Sequence, residues 1–182
     1  VLMLDEENSV KLLRYTTGIT KQMIGLMAEA GADMLSNGDS PAGPDMISPQ
    51  MYRTFALPYE KIVSDYSHAC GKPYLLHICG NTDLILEEMA TIGLDAVELD
   101  YKTPIDRIYG VMHDTCTLFG TVDPSGVITF GSVRDVEEKT IELLRRYDGC
   151  PRLVVNAGCA IPRNAPHENV KKFVETARNW AL

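Results

Sequence analysis

The stretch KPYLLHICGNTD, residues 72 to 83, ends an apolar run with a histidine and a cysteine two positions apart, His77 and Cys79. In an extended chain successive side chains point to opposite faces, so Leu75, His77 and Cys79 share one face while Tyr74, Leu76 and Ile78 share the other. Imidazole and thiol therefore lie side by side, and Gly80 lets the chain turn away just beyond them. Two soft donors on one face amount to half of a metal site. A third candidate, Cys159 in NAGCAIP, stands far along the chain on a loop after another apolar run. His, Cys and Cys with an open fourth place is the donor set of a catalytic zinc ion, whereas a structural zinc closes with four protein ligands. Such an ion holds an incoming thiol deprotonated at neutral pH. Spacing by itself equally describes a core histidine beside a buried cysteine.

Carboxylates form the second group. Glu98 and Asp100 in DAVELDYKTP share a strand face, and a carboxylate aimed into a barrel is costly unless paired or metal-bound. A salt bridge to Lys102 or Arg107 is the plainer alternative. Asp39 in NGDSPAG is either a general acid/base, a ligand orienter or a turn former. Cys70, Cys116 and Cys150 show no partner pattern and read as small buried residues. His68 and His113 read as surface or helix-end residues, and His167 as solvated in the first turn of the last helix. Tyr52, Phe55, Tyr59 and Tyr66 have the spacing of core packing.

Short apolar runs at 32–37, 73–79, 95–99, 117–121 and 152–156 read as strands, and longer helical patterns separate them. Helix starts are marked by Ser48-Pro49, Thr82-Asp83, Thr103-Pro104, Ser132 with Asp135 three later, and Asn164 before Pro166. Gly31, Gly71, Gly93 and Gly149 mark helix stops. Pro58 should kink or split the helix that begins near residue 49. A further helix is expected over about 6 to 30. Five βα units in one layered α/β domain follow. The GxGxxG fingerprint of a dinucleotide-binding sheet is absent, and the polar residues gather where strands end: Asn37 and Asp39, His77 and Cys79, Glu98 and Asp100, Asp123, Cys159. That pattern favours a (β/α)8 barrel of TIM type. A full barrel takes about 250 residues, so 182 residues with five units correspond to a partial barrel whose open edges invite self-association.

Composition narrows the function further. With 45% apolar and 23% charged residues the chain can bury one sizeable core. A formal charge of −8 without clustered Lys and Arg argues against nucleic acid or an anionic membrane as partner. No run approaches the roughly 18 apolar residues of a membrane span. The stretch VLMLDEENS lacks a basic n-region, and five cysteines without CxxC spacing make a poor disulfide framework. A cytoplasmic protein with reduced thiols is expected.

The runs LLHICGNTDLILEEMATIGLDAVELDYKTPI, LFGTVDPSGVITFGSVRDVEEKTIELL and VVNAGCAIPRNAPHENVKKFVETA, preceded by AEAGADMLSNGDSPAGPDMISPQMYRTFALPYEKI, resemble the uroporphyrinogen decarboxylase superfamily. The likeness is closest to its branch of zinc-dependent methylcobamide:thiol methyltransferases, whose best-known members methylate coenzyme M. It extends from about residue 20 to 180. The resemblance implies a (β/α)8 barrel with its pocket at the C-terminal mouth of the strands, of which this chain is the C-terminal portion. The decarboxylases carry a Gly-His-Gly type stretch where this chain has AGCAIP, lack the His-x-Cys pair and need no metal. By resemblance, His77, Cys79 and Cys159 are zinc ligands, with Glu98 the first choice and Asp100 the second for a fourth. Asp39 and Asp123 become substrate-facing catalytic candidates, although Asp-Pro at 123 and 124 also suits a turn. The implied cofactors are zinc and a corrinoid methyl carrier, and the implied partners a small thiol and a corrinoid protein. The alternatives are a metal-free porphyrinogen decarboxylase working through Asp39, and an inactive partial barrel.

Overall fold

The computed structural model describes residues 4–180. Its strands are β1 (Leu35–Gly38), β2 (Tyr74–Ile78), β3 (Ala96–Leu99), β4 (Thr117–Thr121) and β5 (Leu153–Asn156). All pair in parallel, in the order β1-β2-β3-β4-β5. A doubly wound sheet reverses its strand order at a switch point, and nothing reverses here. The strands are thus successive staves of a (β/α)8 barrel, with β1 and β5 as its two edges.

Helices α1 (Glu6–Glu29), α2 (Pro49–Phe55), α3 (Leu57–Ala69), α4 (Leu86–Met89), α5 (Ile105–Met112), α6 (Val133–Arg146) and α7 (His167–Trp180) alternate with the strands. Their ends follow local chemistry. The Asp5 carboxylate accepts from Asn8 N at 3.1 Å and starts α1. Ser132 and Asp135 form a reciprocal capping box that starts α6. Pro58 lacks the N–H that would continue α2, so the expected split occurs just before it, at Ala56. Gly31, Gly71, Gly93 and Gly149 all take positive φ, as helix stops should. After β4 a wide turn spans Pro124–Thr129.

The outer face of the sheet is the core. Tyr74, Leu76 and Ile78 of β2, Val97 and Leu99 of β3 and Leu118 of β4 are sealed beneath Ile85, Met89, Ile108 and Val136. Leu76 to Ala would remove most of a fully buried side chain, a change that typically costs about 2–5 kcal/mol. The inner face is another matter: His77, Glu98, Phe119 and Asn156 are only half-buried. In a closed barrel that face is filled by layers of side chains from all the staves. Five staves leave it open as a concave surface. Its register runs Gly38, His77, Glu98, Phe119, Val154, so the histidine and the glutamate are direct neighbours. No helix among the described residues is long and apolar enough to cross a membrane.

Candidate metal centre

β2 ends at Ile78, and Cys79 is the first residue beyond it. The chain then turns at Gly80, whose φ of 87° belongs to the left-handed region and whose missing Cβ makes room for the Asp45 carboxylate. The turn leaves His77 and Cys79 on the concave side, as strand parity requires. His77 Nε2 lies 3.0 Å from Cys79 Sγ. Cys79 Sγ lies 3.4 Å from Cys159 Sγ. The ligand atoms of His77, Cys79 and Cys159 all fall within 4.8 Å of one another.

The arrangement fits a tetrahedral zinc. Zn–S bonds of about 2.3 Å and a Zn–N bond of about 2.05 Å place two sulfurs about 3.8 Å apart and a sulfur and nitrogen about 3.6 Å apart. The observed separations are shorter by roughly half an ångström. Burial, then the hydrogen bond with the Cys79 sulfur, push the Cys159 thiol upward, while the Ala160 N–H pulls it down. A cation among these donors reverses that balance.

The carboxylates are placed differently from the sequence-based expectation. Glu98 does not stand beside the sulfurs. Its Oε2 lies 2.9 Å from His77 Nδ1, and its main-chain oxygen lies 3.1 Å from the same nitrogen. A carbonyl oxygen only accepts, so Nδ1 carries the proton and Nε2 turns its lone pair toward the sulfurs. Glu98 thus stands behind the histidine, on the far side from the two sulfurs, and not among the clustered donors as the sequence reading expected. The register explains this, since His77 and Glu98 are paired on adjacent strands. Asp100, the second choice, is spent on main chain: its oxygens accept from Gly80 N at 3.1 Å and Lys102 N at 3.2 Å.

Asp39 and Asp123 are not brought to this centre. The register partner of His77 is Gly38, so Asp39, one residue on, turns toward the helices. It lines a cavity of about 210 Å³ between α1 and α3 with Asn37, Thr16, Tyr59, Glu60 and Tyr74. Burial raises its carboxyl above the usual range. Asp123 caps the wide turn, its Oδ1 accepting from Ser125 N at 2.9 Å and Gly126 N at 2.8 Å. Asp123 also lines a separate cavity of about 260 Å³ with Tyr101, Thr121 and Lys139.

Three residues that the sequence did not single out complete the centre. Ser40 Oγ accepts from Cys79 N at 3.3 Å. Asn156 Nδ2 donates to Glu98 Oε1 at 3.0 Å. Gly158, at φ 72°, packs so tightly on β3 that a Cβ would strike the Leu99 carbonyl oxygen. Asn156 had one available signal: it is the polar last residue of a barrel strand. Gly158→Ala is expected to cost about 1–3 kcal/mol through backbone strain. Because the displaced loop carries Cys159, it should also weaken zinc binding about tenfold or more. Urea denaturation and chelator competition measure the two effects.

A cavity of about 490 Å³ opens beside the cluster, lined by His77, Glu98, Asn156, Cys159, Ala160 and Ile161. Val155 and Phe173 also line it, so the cavity runs around the β5 edge of the sheet.

Comparison with known proteins adds the family. The model of the family described as uroporphyrinogen decarboxylase (URO-D) matches residues 1–180. A methylcobamide:CoM methyltransferase, MtbA of Methanosarcina mazei, is 32% identical over 154 residues, covering 85% of this chain and 44% of that protein. A uroporphyrinogen decarboxylase of Trichodesmium erythraeum is 30% identical over 188 residues, covering 96% of this chain and 51% of that one. Among solved structures, a methyltransferase from Methanosarcina mazei superposes with a TM-score of 0.79 at 28% identity, covering 91% of this chain and 48% of that one. The chain spans about half the length of the relatives it matches.

Proposed function

The chain belongs to the uroporphyrinogen decarboxylase family, and from that membership we propose that it serves methyl transfer between a corrinoid and a small thiol, such as coenzyme M, at a zinc ion held by His77, Cys79 and Cys159. The observation that supports this reading is the convergence of one imidazole and two thiols, from the end of β2 and the loop after β5, within 4.8 Å. A decarboxylase that needs no metal has no use for such a set. The decarboxylase alternative rests on Asp39, whose side chain faces the helices instead of the concave surface.

When bound, zinc supplies Lewis acidity that holds the substrate thiol as thiolate at neutral pH. The chain's own residues do the rest. Glu98 fixes the imidazole tautomer and aims Nε2 at the sulfurs. Ser40 and Asp100 pin the main chain on either side of Cys79, at its own N–H and at that of Gly80. The cavity beside Cys159 admits a small thiol. Zinc held by His77, Cys79 and Cys159 would activate the thiol, whose proton would go to solvent; its sulfur would take the methyl group, and the carrier would leave with the electron pair of the bond broken. Holding nucleophile and methyl group in line is the larger part of the catalysis left to the protein.

Two measurements on the same preparation test the reading: zinc per chain, and loss of methylcobalamin absorbance on adding coenzyme M. About one zinc per chain is expected, together with transfer that a chelator stops. A zinc-free preparation that decarboxylates a porphyrinogen would overturn it.

A further inference from the structure

The two halves of the donor set ride on different parts of the sheet, yet one side chain touches the supports of both. Asn156 is the last residue of β5. Its carboxamide reaches across β4 to β3, where Nδ2 donates to Glu98 Oε1 at 3.0 Å. Its other end closes a tight turn, with Oδ1 accepting from Gly158 N at 2.8 Å. Glu98 in turn holds His77 Nδ1, and Gly158 is the residue before Cys159. The amide orientation is fixed by these partners, because the reverse would set an NH2 against the Gly158 N–H.

We infer that Asn156 is a positioning residue that locks the histidine half and the Cys159 half of the zinc site to each other. The inference rests on the zinc reading proposed above. Its physical basis is that only a side chain with one donor and one acceptor at this reach satisfies both partners. Alanine satisfies neither. Aspartate keeps the acceptor for Gly158 but sets a second carboxylate against Glu98. The main chain of Asn156 is held in the sheet through its pairing with Thr121 and its bond from Val122 N at 3.3 Å, so the carboxamide works from a rigid base. Preorganisation of this kind raises metal affinity without adding a ligand.

The test uses a swap that a merely structural role would not reproduce. In Glu98→Gln/Asn156→Asp, the glutamine oxygen still accepts from His77 Nδ1 while its NH2 donates to the new carboxylate, whose other oxygen still accepts from Gly158. Zinc affinity is measured by chelator competition for the wild type, Asn156→Ala, Asn156→Asp and the double variant, with thermal melting as the folding control. The visible bands of the cobalt(II)-substituted forms report ligand geometry. Both single variants are expected to lose about 10–100-fold in affinity, the usual cost of removing an outer-shell partner, with weakened or shifted cobalt bands. The double variant is expected to recover most of that loss. Wild-type affinity and spectrum in Asn156→Ala, or a double variant no better than Asn156→Asp, would overturn the inference while leaving the zinc reading intact. A well-folded wild-type chain that takes up neither zinc nor cobalt would overturn both.

Discussion

Cys159→Ala is expected to leave the fold almost unchanged and to lower zinc affinity by about three orders of magnitude. The apparent free energy of a zinc site with protein thiolates is about 10–16 kcal/mol at pH 7, shared among its ligands, so one sulfur carries about 4 kcal/mol. Two remaining donors, His77 and Cys79, hold zinc too weakly to survive dialysis. The loss is not one of packing, because Cys159 sits half-buried on a loop beside an open cavity. Truncating it leaves little void. Cys116 is the contrast: it is buried in the core, where desolvation pushes its thiol up to about 12. Cys116→Ala should cost about 1 kcal/mol of stability and keep its zinc. Elemental analysis after dialysis, paired with a urea titration, separates the two cysteines. Full zinc in Cys159→Ala would remove the ligand set proposed here.

Glu60→Gln is expected to stabilise the chain by up to about 3 kcal/mol at pH 8 and by almost nothing below pH 4.5. Glu60 is buried on α3, with one oxygen accepting from the Tyr52 hydroxyl and the other without a partner. Desolvation raises its carboxyl from 4.5 to about 7; the Tyr52 hydrogen bond opposes the rise and the nearby Asp39 adds to it. Between those values the folded chain keeps a proton that the unfolded chain releases. The stability associated with the neutral, buried acid is therefore complete below pH 4.5 and lost as pH climbs through 7. A rise from 4.5 to about 7 corresponds to about 3 kcal/mol. Glutamine stays neutral, keeps an acceptor for Tyr52 and escapes this loss. Urea midpoints of both chains at pH 5 and pH 8 measure it, and an equal difference at the two pH values would show that Glu60 does not titrate in this range.

The cavity between α1 and α3 holds Asp39, Glu60 and Tyr74 on the outer face of the sheet, whereas the donors of the proposed zinc site lie on the inner face. Both groups are polar residues near strand ends. Only the face of the sheet separates them.

That difference marks how far the chain can be read without its packing. The five strands, the parallel βα rhythm, the helix split at Pro58 and the family were legible, because periodicity, caps, proline chemistry and long motifs are local properties of the chain. Local parity also placed His77 and Cys79 on one face. The first strand covers Leu35–Gly38 rather than 32–37. Asp39 was expected at the pocket because it follows a strand end and because its NGDS stretch resembles a pocket lining; the pairing of Gly38 with His77 puts it on the opposite face, under α1 and α3. Glu98 was legible as a carboxylate that needs a partner, but the identity of that partner was not. Whether it meets the metal or the far nitrogen of the histidine depends on the register of β2 against β3. Asn156 and Gly158 depend on still more remote relations, a hydrogen bond across β4 and a backbone contact with Leu99. Such pairings join residues far apart in the chain, and no single segment encodes the distance between them; only the packed sheet does.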